Sequence, residues 1–395
     1  MSGANGRWNL TSGLSKNTER VTDSHYADTR PETPAGTMTL PARYYCDPAV
    51  FEREGERIHR AMWNAACPVD DLREPGDYRL VEIAGDCLIV VRGPDGRIRA
   101  HHNVCRHRGT RMVEAERGCL PGAIQCPYHA WTYGLDGGLR RAPHMDRVEG
   151  FSVEDYPLAS ARCEEWGGIV FVRVADEGPG LLAQLGPAAP RLEPWGIGEL
   201  RSAHTERHDL KANWKLVVQN FSECLHCPVI HPQLQRLSHY LSGENYPVTP
   251  GAVGSAMDMA EGVETMSTDG RLVGAPLPGL SEAGRRRVSY DILLPNVMLC
   301  LHPDYVVRYL MRPLAVDRTT IRCDWLFSAE ALSREDFDPG RAVEFWHTTN
   351  LQDWRVSELA QQGIASSAYR PGPYSNREDQ LWQIDRLILD RLGEA

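Results

Sequence analysis

Two short Cys–His segments constrain this chain more than any other feature of its sequence. Cys105 and His107 are separated by one residue, and Cys126 and His129 follow after a gap of eighteen residues. Thiolates and imidazoles are ligands of both zinc and iron. In a zinc finger both cysteines precede both histidines, whereas here each half of the pattern offers one of each. The pattern therefore predicts a four-ligand metal site held by two loops, with zinc as the less favoured occupant.

A two-iron, two-sulfur cluster fits the mixed halves, because one iron can take two cysteines and the other two histidines. Gly109 and Pro127 are residues typical of turns, and Tyr128 is a candidate hydrogen-bond donor to a cluster sulfur. The two segments strongly resemble the cluster loops of Rieske proteins. The resemblance implies that a [2Fe–2S] cluster is bound by Cys105, His107, Cys126 and His129.

A second group of metal-binding residue types lies about a hundred residues further along the chain. The apolar pattern before it predicts a helix on which Glu223 and His226, three residues apart, share a face. His231 lies roughly 140° around an ideal helix from His226, so a straight helix cannot aim both imidazoles at one ion. Pro228 lacks a backbone N–H and disfavours helix at Cys227. We therefore expect the helix to end or kink there and to let His231 fold back.

Two imidazoles and one carboxylate form the facial triad of non-haem Fe(II) oxygenases, so this site needs an acid. Residues 341–362 have the period of an amphipathic helix and carry Asp353 on a largely apolar stripe. A buried carboxylate is costly without a cation or a metal as partner. A single helical Asp is more often solvated or ion-paired, so the periodicity alone leaves its role open.

Residues 40–393 as a whole resemble the oxygenase subunits of Rieske non-haem iron oxygenases. The resemblance implies that His226, His231 and Asp353 bind the catalytic Fe(II). Glu223 falls where the family places an acid that links the cluster histidine of one subunit to the iron of the next. Most ring-hydroxylating members have Asp there. The Glu at this position makes the chain similar to the branch of the family that oxidises quaternary ammonium compounds such as glycine betaine, proline betaine, choline or carnitine.

The resemblance implies a terminal oxygenase, a monooxygenase or a dioxygenase, that hydroxylates or N-demethylates a quaternary ammonium substrate such as glycine betaine or proline betaine. It would use O2 and electrons from NAD(P)H, delivered by a separate flavin and iron–sulfur reductase, since no Gly-x-Gly-x-x-Gly loop follows a strand. Family members form homotrimers, in which Glu223 would bridge subunits for electron transfer. Two alternatives stay open: a Rieske oxygenase of aromatic or alicyclic substrates, and a non-catalytic iron–sulfur electron carrier or zinc protein.

A methylammonium substrate calls for a pocket with aromatic faces, because a desolvated cation–π contact contributes about 0.5 to 2 kcal/mol. An arginine on a strand could instead clamp a substrate carboxylate through two hydrogen bonds, or point outward. The predicted pocket residues are Tyr290, Tyr305, Arg308, Trp325 and Trp346.

Composition limits which partners and which cellular location are expected for this chain. The net charge of −10 argues against nucleic acid. No leader pattern opens the sequence and no run reaches about 18 apolar residues, so we expect no membrane span and a cytoplasmic location. Cys224 and Cys227 form a C-x-x-C that suggests a redox-active dithiol. Between candidate metal ligands, they are more simply interpreted as buried spacers.

The predicted fold class is α+β, a β-rich Rieske domain followed by a catalytic domain for which the resemblance implies a helix-grip fold. The expected parts are a flexible tail (1–38), an N-terminal helix packed on the catalytic domain (39–64), the Rieske domain (65–175) and the catalytic domain with the mononuclear iron (176–395). Gly and Pro residues indicate a linker at 176–195. The irregular segment 248–286 is either a cover over the iron pocket or a surface insertion.

Overall fold

The computed structural model describes residues 33–394, so most of the predicted N-terminal tail lies outside the described residues. Helix α1 (Arg43–Cys46) is followed by α2 (Pro48–Glu54), which continues as a π-helical turn through His59. The Asp47 carboxylate accepts a hydrogen bond of 2.9 Å from the Ala49 N–H and caps α2. Asp followed by Pro is a sequence typical of a helix start, with Pro at the first helical position, and the structure confirms that start at Asp47 and Pro48.

The N-terminal half of the chain is made of antiparallel strands. Seven of them form one sheet in the order β1-β10-β9-β4-β3-β2-β5, and β6, β7 and β8 form a second, smaller sheet. Their bounds are β1 (Asn64–Pro68), β2 (Asp77–Ile83), β3 (Asp86–Arg92), β4 (Ile98–His102), β5 (Arg117–Cys119), β6 (Ala123–Gln125), β7 (Thr132–Gly134), β8 (Leu139–Arg141), β9 (Ser160–Trp166) and β10 (Ile169–Arg173). Gly93-Pro94-Asp95-Gly96 between two β-rich runs predicts a hairpin, and the pairing of Val90 on β3 with Ala100 on β4 confirms it.

The C-terminal half contains a second seven-stranded antiparallel sheet, in the order β11-β17-β16-β15-β14-β13-β12. Its strands are β11 (Arg201–Leu210), β12 (Glu244–Asn245), β13 (Ala252–Asp258), β14 (Arg287–Leu293), β15 (Val297–Leu301), β16 (Val306–Ala315) and β17 (Arg318–Phe327). The sequence predicts strands around residues 288–294, 305–311 and 319–327, and they correspond to β14, β16 and β17. Strands β11, β12, β13 and β15 have no counterpart among the predicted strands.

Helices cover this sheet and carry part of the candidate site. They are α3 (Leu181–Leu185), α4 (Ala188–Leu192), α5 (Trp214–Phe221), α6 (Cys227–Ile230), α7 (Pro232–Leu237), α8 (Ala329–Ser333), α9 (Gly340–Ile364) and α10 (Asp379–Leu392). The late helix predicted at 341–362 is confirmed as α9. Its Phe345, Trp346 and Trp354 are buried in one core with Val307 and Trp325 of the sheet. This packing holds α9 against the face on which the site forms.

The predicted linker at 176–195 is wrong, because much of it is short helix with a buried apolar face. Leu181, Leu185 and Leu192 are at most 1% exposed and share a hydrophobic cluster with Leu293 and Leu299 of the sheet. Burial of leucine side chains contributes about 1.5 to 3 kcal/mol each. That apolar spacing outweighs the turn propensity of the neighbouring Gly and Pro residues.

The segment 248–286, predicted as either a cover over the iron pocket or a surface insertion, forms part of the wall of that pocket, because Ser255 and Met257 line it. Residues 252–258 form β13. The irregular part that follows is held in place by hydrogen bonds to the fully buried carboxylate of Asp304. This carboxylate accepts hydrogen bonds from the Thr265 hydroxyl (2.7 Å), the Val273 N–H (2.7 Å) and the Gly274 N–H (2.9 Å). The segment is therefore packed structure.

Buried ion pairs join the two halves. Arg322 on β17 contacts Asp71 of the N-terminal half at 2.6 Å and Asp324 at 2.9 Å, while Asp71 also contacts Arg79 at 2.7 Å. Arg308 completes the network with a 3.0 Å contact to Asp324. None of the helices between residues 33 and 394 is long and apolar enough to cross a bilayer.

Candidate metal centres and substrate cavity

The two loops with the Cys–His pattern are built alike. Cys105 lies after β4, and its N–H donates to the Thr110 carbonyl at 2.9 Å. Cys126 lies between β6 and β7, and its N–H donates to the Trp131 carbonyl at 2.8 Å. Gly109 has φ of 74°, a backbone conformation that favours glycine and lets the first loop turn back. Both cysteines are 2% exposed, so the loops present two buried sulfurs side by side.

The two histidines lie nearer the surface than the cysteines. The rings of His107 and His129 are 4.7 Å apart, and His107 stacks on Trp131 at 4.8 Å. The Nδ1 atom of His107 is buried without a hydrogen-bond partner among the described residues. A buried nitrogen without a partner is rare and fits a metal ligand. Two buried sulfurs and two outer imidazoles fit a [2Fe–2S] cluster.

The tyrosine hydroxyl next to a cysteine sulfur belongs to Tyr133, and the prediction for Tyr128 is wrong. The Tyr133 hydroxyl lies 3.4 Å from the Cys105 sulfur and accepts a hydrogen bond from the Arg106 N–H at 3.0 Å. Tyr128 is 57% exposed, and its hydroxyl contacts Arg108 instead. Tyr133 points inward because it lies on β7, two residues after the buried Trp131.

The segment that carries the downstream histidines differs from the predicted helix. Helix α5 ends at Phe221, so His226 lies in an irregular turn. Pro228 occupies the first turn of α6, where its missing N–H costs nothing. His231 stands at the break between α6 and α7, with φ of −122°. The expected fold-back of His231 is present, but it arises from two helix breaks and not from a kink at Cys227.

These breaks bring His226, His231 and Asp353 together. The Nε2 atom of His231 lies 2.8 Å from the Asp353 Oδ1 atom, and that of His226 lies 3.3 Å from it. One ligand atom from each residue lies within 4.8 Å of the others. Ligands bound to one ion at about 2.0–2.2 Å lie roughly 3 to 4 Å apart. The three side chains therefore fit a two-histidine, one-carboxylate metal site.

Each histidine is oriented by an oxygen on its other ring nitrogen. The Nδ1 atom of His226 lies 2.5 Å from a Glu223 carboxylate oxygen, and that of His231 lies 2.7 Å from the Gln352 carbonyl oxygen. Such contacts fix the tautomer that directs Nε2 toward a metal. Although burial lowers the pKa of His226, the hydrogen bonds that its ring donates to the carboxylates of Asp353 and Glu223 raise it to about 10. The carboxylates thus create a site that attracts a cation.

Gln352 received no role in the sequence analysis, and its contact gives a direct prediction. Replacing Gln352 with Leu removes the acceptor for His231, so affinity for the mononuclear iron is expected to fall about 10- to 100-fold. Iron retained during titration with a chelator measures this. Gln362 is an exposed glutamine on the same helix, and Gln362→Leu is the matched control. Equal iron retention in the two variants would contradict the orienting role.

Cys224 and Cys227 are not the simple spacers that the sequence analysis expected. They form a disulfide with a Cα–Cα distance of 5.0 Å. The bond closes the turn between Glu223 and α6, and His226 lies inside it.

A cavity opens beside the two histidines and the acid. It is lined by Asn220, Phe221, Ser222, Glu223, Cys224, Leu225, His226, Cys227, His231, Leu234, Tyr240, Leu241, Gly243, Asn245, Ser255, Met257, Tyr290, Trp346, Thr349, Asp353 and Arg377. The ring of Tyr290 lies 6.1 Å from that of Phe221 and 6.3 Å from that of Trp346, so three aromatic side chains share one wall. Tyr290 and Trp346 were predicted pocket residues; Phe221, Met257 and Arg377 were not.

The other three predicted pocket residues lie outside this cavity, which corrects the prediction. Tyr305 is fully buried, and its hydroxyl accepts a hydrogen bond of 2.9 Å from Trp346. Trp325 is fully buried in the sheet core against the ring of His204. Arg308 is tied to Asp324 in the junction between the two halves. Strand periodicity left these directions open, and the charge of Asp324 settles that of Arg308.

Comparison with known proteins agrees with this architecture. Residues 197–394 match the family model of the ring hydroxylating alpha subunit (catalytic domain), and residues 62–157 match the Rieske [2Fe-2S] domain. The glycine betaine monooxygenase oxygenase subunit of Chromohalobacter salexigens is 33% identical over 371 residues, 86% of this chain and 82% of the relative. The carnitine monooxygenase oxygenase subunit of Escherichia coli is 35% identical over 223 residues, 53% of this chain and 58% of the relative.

Solved structures share the fold. A quaternary ammonium Rieske monooxygenase studied for carnitine oxidation by gut microbiota has a TM-score of 0.77 at 25% identity, covering 90% of this chain and 95% of the other. Naphthalene 1,2-dioxygenase from Rhodococcus sp. has a TM-score of 0.73 at 20% identity, covering 89% and 95%. The domain matches imply a Rieske cluster and a mononuclear iron, and they confirm the predicted fold class. This chain belongs to the family of ring-hydroxylating oxygenase alpha subunits and is a Rieske non-haem iron oxygenase.

Proposed function

We propose that this chain is the terminal oxygenase of a Rieske system that oxidatively N-demethylates or hydroxylates a quaternary ammonium compound such as glycine betaine or proline betaine. The observation that carries the proposal is the aromatic wall of Phe221, Tyr290 and Trp346 in the cavity that holds His226 and Asp353. The names of the glycine betaine and carnitine relatives support the same substrate class.

A quaternary ammonium group has no N–H, so it cannot be recognised by hydrogen bonds to the nitrogen. Aromatic faces attract it through their quadrupoles, at about 0.5 to 2 kcal/mol per desolvated contact. Phe221, Tyr290 and Trp346 offer such surfaces side by side, and Met257 adds a soft apolar contact. The nearby carboxylates of Glu223 and Asp353 add a favourable field for a cation. This combination suits a methylated ammonium better than a neutral hydrocarbon.

The proposed reaction uses one O2 with two electrons and two protons. When bound, the two iron groups would supply electron storage and the place where O2 meets the substrate. One oxygen atom enters a C–H bond of an N-methyl group, and the other leaves as water. The resulting carbinolamine loses formaldehyde and a proton, which leaves the tertiary amine. The aromatic wall would orient the methyl group and exclude water, while Glu223 and Gln352 hold the two histidines in place.

Electrons would come from NAD(P)H through a separate flavin and iron–sulfur reductase, in the cytoplasm. We propose a homotrimer in which Glu223 links His226 of its own subunit to the cluster histidine, His107 or His129, of a neighbour. The position of Glu223 supports this role, because it contacts the Nδ1 atom of His226, on the ring edge away from Asp353. The alternative of a non-catalytic carrier or zinc protein is wrong for this chain, which belongs to an enzyme family.

The test is steady-state turnover with a surrogate reductase, NADH and O2, with glycine betaine, proline betaine, carnitine and choline assayed in parallel. Formaldehyde and the demethylated amine are expected in proportion to O2 consumed for at least one of them. An aromatic substrate such as naphthalene is the comparison. Coupled O2 uptake with the aromatic compound alone, from protein shown to contain both irons, would contradict the proposal.

A further inference from the structure

The C-terminal segment contributes one side of the cavity. Arg377 lines the cavity from the loop before α10. The next residues are fixed: the Asn245 amide donates to both oxygens of Asp379, at 3.0 and 3.2 Å, and the Gln380 amide donates to the Gly254 carbonyl at 2.7 Å. Asp379 and Gln380 are 1% and 2% exposed. These buried contacts hold the loop with Arg377 at the edge of the sheet.

The sheet register shows how the cavity is laid out. Asn245 on β12 pairs with Ser255 on β13, which pairs with Tyr290 on β14. Paired residues point to the same face, and all three line the cavity. Strands are spaced by about 4.8 Å, so Asn245 and Tyr290 are separated by roughly 10 Å across the sheet. The cavity therefore runs from the aromatic wall to the edge where Asn245 holds the segment of Arg377.

Charge is distributed unequally along the cavity, from Tyr290 through Ser255 to Asn245. The two acids of the cavity, Glu223 and Asp353, contact His226 and His231. Arg377 is the only Arg or Lys among the described residues that line the cavity. In addition, the buried hydroxyl of Tyr290 has no hydrogen-bond partner within the described part of the chain. An aromatic wall near acids and a guanidinium farther along the cavity complement a molecule that carries a cation at one end and an anion at the other.

We propose that Arg377 binds the carboxylate of the substrate, so that the site selects betaines, which are quaternary ammonium carboxylates, over choline. The inference rests on the proposed function and deepens it. A guanidinium binds a carboxylate through two parallel charged hydrogen bonds, which a neutral hydroxyl cannot replace. Arg377 would thus bind the substrate carboxylate, the role that was predicted for Arg308. It lies in the loop before α10, which had not been predicted to contribute to the site.

The experiment measures equilibrium binding by calorimetry, with the iron-loaded enzyme and no reductase. The ligands are glycine betaine, proline betaine, carnitine and choline. Arg377→Gln is expected to raise Kd for the three carboxylates about ten- to hundred-fold and to leave Kd for choline unchanged or lower. Arg377→Lys, which keeps the charge but not the paired donors, should fall between. Arg386, which lies on α10 and contacts Asp390 at 3.9 Å, provides the control Arg386→Gln.

Three outcomes would overturn the inference. If wild-type protein with both irons binds none of the four ligands, the proposed function falls with it. If wild type binds the betaines and Arg377→Gln does not weaken them, only the role of Arg377 falls. The same holds if Arg377→Gln weakens all four ligands equally while the cluster absorption is unchanged, since the residue then supports the cavity without selecting the carboxylate.

Discussion

Replacing His226 with Ala is expected to abolish turnover and to remove the mononuclear iron, while the absorption of the [2Fe–2S] cluster stays intact. His226 lies 3.3 Å from Asp353 in the C-terminal half, and the four candidate cluster ligands lie in loops of the N-terminal half. A catalytic metal contributes several kcal/mol to the barrier, so a loss of at least about 10³-fold in kcat follows.

The measurement is made on one preparation and records iron per chain, visible absorption and product formation. Together these distinguish loss of the mononuclear iron from loss of the cluster. His347 is the control, because it lies on α9 six residues before Asp353 and contacts Glu206 at 3.0 Å outside the cavity. His347→Ala should keep both irons and near-normal turnover. Loss of the cluster absorption in His226→Ala would contradict the division of the metal centres between the two halves.

Changing Glu223 to Gln is expected to leave both metals bound and to slow a single turnover about 10- to 100-fold. The Gln carbonyl oxygen still accepts a hydrogen bond from His226, so the ring orientation and the iron are retained. What is lost is the negative charge proposed to couple His226 to a neighbour's cluster histidine. The rate at which the reduced cluster is reoxidised by O2 with substrate present measures this coupling.

Glu206 provides a matched control for Glu223. Its carboxylate also contacts histidines, His347 at 3.0 Å and His204 and His208 at 3.3 Å each, but these lie outside the cavity. Glu206→Gln should therefore reoxidise its cluster at the wild-type rate. Wild-type reoxidation in Glu223→Gln would remove the bridging role, and loss of iron there would show that the charge serves mainly to hold the metal.

The candidate cluster ligands could be predicted from local sequence, whereas the resemblance to the family was needed to join Asp353 to His226 and His231. The Cys–His spacing specifies two matching loops, since each ligand pair lies within a few residues of its own turn. The apolar period around Asp353 gave α9 almost to the residue. What joins Asp353 to His231, 122 residues away, is the packing of α9 on the sheet, which periodicity does not report.

The parts that sequence reasoning missed all depend on long-range contacts. Tyr133 and Gln352 act through neighbours distant in sequence, 28 residues for Cys105 and 121 for His231. Arg377 reaches the cavity because Asn245, 134 residues before Asp379, fixes its loop. The direction of Arg308 is set by Asp324 on the adjacent strand. No local propensity indicates such pairings.

The proposed function requires the two iron centres of this chain to cooperate in the oxidation of a quaternary ammonium compound. A single turnover without reductase tests it most directly: anaerobically reduced enzyme is mixed with O2 and glycine betaine or proline betaine, and cluster reoxidation and formaldehyde are followed together. Formaldehyde is expected to form at the rate at which the cluster is reoxidised, and without substrate we expect no formaldehyde and a much slower reoxidation. Cluster reoxidation that is equally fast with and without these compounds, and without formaldehyde, would contradict it.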